Sequence, residues 1–163
     1  MKTHDKIQLA SEMLLTAAQD YKNAKSEIDY VKCILLAGAV INVTYPLVKE
    51  FGGKTKAAET AELATRIMEI RQGAPFGKKK RQAQIARFMA QDNYVYNSLK
   101  HAGNDSKQLR ASDDLDFDAD LKAEAEQKIL DARAEFMRLP LGPGATNKFS
   151  DELRDFLTSN WPA

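Results

Sequence analysis

The chain has 163 residues, enough for a single domain to bury a core without disulfide or metal staples. It is 44% hydrophobic and 29% charged with a formal net charge of +1, which excludes wholesale disorder and any global field that would draw nucleic acid or a membrane. One cysteine, Cys33, and two histidines, His4 and His101, exclude an internal disulfide, a cysteine cluster and a His-rich metal site, so neither metal nor cofactor is expected.

The first residues, Met1 to Lys6, lack an apolar signal core, and a cytoplasmic location is expected. A first helix is predicted from Asp5 to Ala24, because Ile7, Ala10, Leu14, Ala17 and Tyr21 recur at three- and four-residue steps. Ser26 three residues before Asp29 is a capping-box-like start for a second helix carrying Ile28, Val31, Leu35 and Ala39. Its flanks are apolar too, as suits the middle of a bundle. The uncharged run Cys33 to Val48 is short for a membrane span and contains Asn42, Thr44, Tyr45 and Pro46, so a buried helix is expected and no membrane partner. Cys33 itself reads as a small core residue. Pro46 should kink or end the helix, and Gly52-Gly53 should stop it.

A third helix, Thr55 to Arg71, places Leu63, Ile67 and Ile70 on one side, and Gly73 to Gly77 breaks it. A long fourth helix, Lys79 to His101, has Ile85, Phe88, Met89, Val95, Tyr96 and Leu99 as its buried stripe, with a stop at Gly103-Asn104-Asp105. A fifth, Asp118 to Leu139, repeats the pattern with Leu121, Ala125, Ile129, Ala132 and Phe136 until Pro140-Leu141-Gly142-Pro143-Gly144 forbids continuation. A short last helix, Ser150 to Leu157, docks through Leu153, Phe156 and Trp161. No segment has period-two patterning. The expected fold is all-α: one domain, residues 1–163, built as a bundle of four to five main helices with a short C-terminal helix.

Two motif readings fail on spacing. Gly73-Ala74-Pro75-Phe76-Gly77-Lys78 has three residues between its glycines and Lys79 where a phosphate loop needs Ser or Thr. Asp114, Asp116, Asp118 and Asp120 alternate like a calcium loop, yet Leu121 and Gln127 stand where Gly and Glu are required, so helix capping is the better account. Two features remain. Lys78-Lys79-Lys80-Arg81 is the densest basic run and suits phosphate contact or plain solvation. Asn93, Asn97 and His101 are spaced by four along one face, which also carries Tyr94 and Arg87 and lies opposite the core stripe. An imidazole there can act as acid or base, or Lys100 and His101 can simply complement the helix C-terminus.

The segment Asn97-Ser98-Leu99-Lys100-His101-Ala102 resembles the signature region of the HEPN superfamily, helical domains of bacterial defence and toxin systems. Many of those are metal-independent ribonucleases whose motif is an Arg, often followed by a polar residue, then a His after four to six intervening positions. Asn97 matches the polar residue and His101 the histidine. The resemblance extends over residues 5–139, through Cys33-Ile34-Leu35-Leu36-Ala37-Gly38-Ala39 with Gly52-Gly53, and through Asp114-Leu115-Asp116-Phe117-Asp118 and Phe136-Met137-Arg138-Leu139. The motif's Arg is missing: Tyr94, Val95 and Tyr96 fill the eligible positions, and Tyr cannot supply fixed charge to a phosphate. The resemblance therefore implies a bacterial, homodimeric binding or regulatory module for nucleic acid, nucleotide or a partner protein. Its contacts would come from Lys100, Tyr94, Tyr96, Arg87 and the Lys78–Arg81 run. The alternatives are a degenerate ribonuclease using His101 with Asn97, and an accessory structural bundle.

Overall fold

The apolar pattern becomes seven helices in the computed structural model, which describes residues 3–101, 116–141 and 149–162; no strand forms among the described residues. The expected stops at Gly103–Asp105 and Gly142–Gly144, and Asp114, lie outside them. By its internal contacts the chain divides into two compact units, residues 1–53 with 118–163 and residues 54–117.

The first unit holds α1 (Lys6–Asn23), α2 (Glu27–Glu50), α6 (Leu121–Met137) and α7 (Asp151–Thr158). Asp5 caps α1, its Oδ1 accepting from the Ile7 amide at 2.8 Å. The capping box of α2 forms as its sequence predicts. Asp29 Oδ2 accepts from the Ser26 amide at 3.1 Å and the Ser26 hydroxyl at 2.8 Å. The Ser26 hydroxyl first, then the Lys25 amide and Lys32, hold the Asp29 carboxyl down at about 2.

α1, α2 and α6 pack mutually, and α7 docks on α1. Leu14, Ile34, Val40, Ile129 and Phe136 are at most 1% exposed. Each such side chain contributes roughly 1.5–3 kcal/mol by leaving water. Cys33 belongs to this core, and burial pushes its thiol up to about 11. α2 is long and apolar enough to cross a membrane by length and composition alone, but its burial against α1 and α6 gives that apolarity a place in the core.

The core face of α2 is not the Ile28–Val31–Leu35–Ala39 stripe. Cys33, Ile34, Ala37, Val40, Thr44 and Val48 are buried, while Ile28 is exposed. A helix apolar on every side leaves its orientation to its neighbours. Nor does Pro46 end α2, which continues to Glu50. Pro46 and Asn42 are both exposed, so the proline ring lies on the solvated side of the helix. The stop comes at the glycines. Gly52 takes φ 75°, and the Gly53 amide donates to the Val48 carbonyl at 2.9 Å, a Schellman closure. At the other end of the unit, Arg133 donates to the Leu157 carbonyl at 2.7 Å and the Ser159 carbonyl at 2.6 Å, closing the C-terminus of α7.

The second unit holds α3 (Lys56–Gln72), α4 (Lys78–Asp92) and α5 (Tyr94–Lys100). Here the expected side of α3 forms, and two expectations about the fourth helix are corrected. Leu63, Ile67 and Ile70 do share one side of α3, but it is the exposed side; the buried residues are Ala61, Thr65 and Glu69. The fourth helix is two helices, because Asn93 leaves helical geometry at φ −106°, ψ 9° and its side-chain amide donates to the Met89 carbonyl at 3.2 Å. That is the local competition with backbone bonding for which Asn is known. Of the expected stripe only Val95 and Tyr96 are buried, and Ile85, Phe88, Met89 and Leu99 are half-buried.

Candidate functional site

The candidate site lies wholly in the second unit and is built on the α3–α4 turn. Gly73 closes α3 at φ 70°, where a side chain would be strained. Glu69, buried on α3, then reaches across the turn. Its Oε1 accepts from the Phe76 amide at 3.1 Å and its Oε2 pairs with Arg81 Nη1 at 2.9 Å. Arg81 is therefore a tie between α3 and α4 rather than a free member of the basic run. Lys80 Nζ sits 4.2 Å from the centre of the Phe76 ring, a cation–π contact that also fixes it. Lys78 and Lys79 are exposed at the start of α4 and make no ion pair among the described residues. Gly77 precedes them with no side chain to cap the helix. Two lysines at a positive helix end raise the local potential, and an anion there would relieve it.

Beyond the turn, Arg87, Ala90, Gln91 and Tyr94 line an open groove of about 540 Å³. All four are exposed, Tyr94 by 52%. The groove spans the break at Asn93, so the face of α4 continues onto α5 despite the interruption. Helical bonding resumes at once, with the Asn97 amide donating to the Asn93 carbonyl at 2.9 Å and the His101 amide to the Asn97 carbonyl at 3.0 Å. Tyr94, Asn97 and His101 thus follow each other along one exposed face of α5. Asn93 is spent on the helix junction and does not join them. The His101 backbone is already extended, at φ −136°, ψ 134°.

Tyr96 is corrected. It is 7% exposed and points away from this face, under Lys100, whose Nζ lies 4.8 Å from the ring centre. A side chain there packs the interior and cannot meet a ligand. Of the three positions eligible for the motif's missing Arg, 95 and 96 are buried and only 94 shares the surface of Asn97 and His101. It stands six intervening positions before His101.

Sequence reasoning missed features of the first unit. Lys128, Asp131 and Glu135 on α6 are at most 7% exposed, and Gln127 Nε2 donates to Asp131 Oδ1 at 3.0 Å. Charged residues interleaved with Ile129, Ala132 and Phe136 were the available signal, since charge in an apolar stripe demands partners. A hollow of about 320 Å³ between α1 and the start of α7 is lined by Ser11, Glu12, Phe149 and Leu153. A second, of about 270 Å³, is lined by Lys22, Asp155, Phe156 and Trp161. No group of three His, Cys, Asp or Glu suited to a metal occurs among the described residues.

Comparison with known protein families, curated proteins and solved structures finds no match to the chain. The fold and this face define the class the chain can be placed in: an all-α protein with a cationic, aromatic helix surface.

Proposed function

We propose that this chain is a HEPN-like binding or regulatory module of the bacterial cytoplasm, dimeric, that holds single-stranded RNA along the α4–α5 face. The observation that carries the reading is the open groove lined by Arg87 and Tyr94, with Asn97 and His101 exposed beyond it and Lys78 and Lys79 exposed at the start of α4. Cations track a phosphate backbone, and an exposed aromatic ring offers a base its π-face at roughly 1–3 kcal/mol per stacked base. The test is fluorescence anisotropy of a labelled single-stranded RNA against the full chain across a salt series. Binding should weaken steeply with salt, and Lys78→Ala with Lys79→Ala should reduce the salt slope by about 1.4. Tyr94→Ala should weaken binding at every salt concentration without changing that slope. Binding that is indifferent to all three substitutions would remove the reading. Sedimentation at 18.2 kDa alone, at micromolar concentration, would remove the dimer.

A second reading, a degenerate metal-independent ribonuclease, is favoured by one observation: position 94 lies on the same face as Asn97 and His101. Tyr94→Arg would supply an exposed guanidinium to a developing phosphate charge. On the enzyme reading that variant gains chelator-resistant cleavage that His101→Ala abolishes. On the binding reading it changes affinity only. Tyr96→Arg tests neither, because it would bury the charge.

A further inference from the structure

The largest aliphatic side chains of α3 face away from its buried side. Leu63, Ile67 and Ile70 are 61%, 43% and 70% exposed, while Ala61, Thr65 and Glu69 occupy the opposite side and Glu69 joins Arg81 of α4. Steps of four and then three residues set the three aliphatics on one straight seam, the d–a–d spacing with which one helix meets another. A contiguous stripe of this kind differs from scattered exposed apolar residues, which need no explanation.

The charges beside the seam specify what fits. Arg66 and Arg71 flank its C-terminal half, one on each edge; both are exposed and neither makes an ion pair among the described residues. Glu59 lies towards the other end of the helix, with Lys56. A second copy of the same seam fits poorly. Antiparallel pairing about Ile67 sets Arg66 beside its own counterpart, and parallel pairing sets Arg66 against Arg71 of the other helix. A helix carrying its own aliphatic seam with carboxylates at the flanks satisfies both arginines. We propose that the α3 seam is a docking surface for an amphipathic helix with acidic flanks, supplied by another protein. This rests on α3 and not on the RNA face, so either proposal can fail alone.

The experiment uses the full chain and two synthetic helical peptides with the same leucine seam, one flanked by glutamates and one by lysines. By fluorescence anisotropy the glutamate peptide should bind about tenfold more tightly, or better. Ile67→Glu should abolish that binding with the far-ultraviolet circular dichroism unchanged, and Arg66→Glu with Arg71→Glu should reverse the preference between peptides. Equal binding of the two peptides, or binding of neither, overturns the proposal. A dimer that Ile67→Glu converts to monomer makes a second copy the occupant and overturns it too. So does slow alkylation of an Ile67→Cys variant in a monomeric sample, which would mean that the chain covers its own seam.

Discussion

The α1–α2–α6–α7 unit and the α3–α4–α5 unit use the same helical grammar to different ends. In the first, large aliphatic and aromatic side chains face inward, with Leu14, Ile34, Ile129, Phe136 and Leu153 at most 2% exposed. In the second, α4 buries no residue fully, and the interior of α3 is Ala61, Thr65 and Glu69. The large aliphatics of α3 and the cations Lys78, Lys79 and Arg87 are on the outside. The first unit exposes Leu9, Ile28, Phe51 and Met137 singly, whereas the second sets Leu63, Ile67 and Ile70 together on one exposed side of α3. Local stability should follow that division.

The contrast breaks most visibly under core truncation. Phe136→Ala should cost about 3–5 kcal/mol, because a cavity remains in a packed interior. The lone tryptophan, Trp161, lies in the same unit and reports the loss as a lower urea midpoint in fluorescence. Phe88→Ala on the half-buried side of α4 should leave that Trp161 transition in place. Equal shifts from both substitutions would erase the distinction between the units.

A smaller effect sharpens it. Glu69→Ala removes the acceptor of the Phe76 amide and the partner of Arg81, and should cost the second unit about 1–3 kcal/mol. Faster amide exchange in α3 and α4 with an unmoved Trp161 transition is the expected pattern. The smallest effect is on acid stability. Asp29 has its folded pKa depressed to about 2 from an ordinary 3.8, so the folded state binds fewer protons than the unfolded state between those values. Its contribution is whole above about pH 4 and is lost as pH falls through about 2. Asp29→Asn should remove that part of the acid slope in the first unit, and an unchanged slope would mean that the capping box contributes nothing.

What the sequence disclosed follows the same division. α1, α6 and α7 were legible to within a few residues, because each shows one apolar stripe and a polar remainder. The Ser26–Asp29 cap and the Gly52-Gly53 stop were legible because they are local chemistry. The core face of α2 was not, since apolar residues all round leave its orientation to α1 and α6. In the second unit, apolar periodicity marked Leu63, Ile67 and Ile70 correctly as one side of α3 and carried no information on whether anything covers it. Asn93 interrupted the fourth helix through a side-chain bond that periodicity does not encode. At the candidate site the face Arg87, Tyr94, Asn97 and His101 was readable from helical spacing. The fates of Arg81 and Tyr96 were not, because one is set by Glu69 across a turn and the other by burial.

The most direct test of the central claim is hydrogen–deuterium exchange of the full chain with and without a saturating single-stranded RNA. Binding along the α4–α5 face should slow exchange in residues 78–101 and leave α1 and α7 unchanged. Protection confined to α1 and α7, around the hollows lined by Phe149 and Trp161, would place the binding surface in the other unit and contradict it.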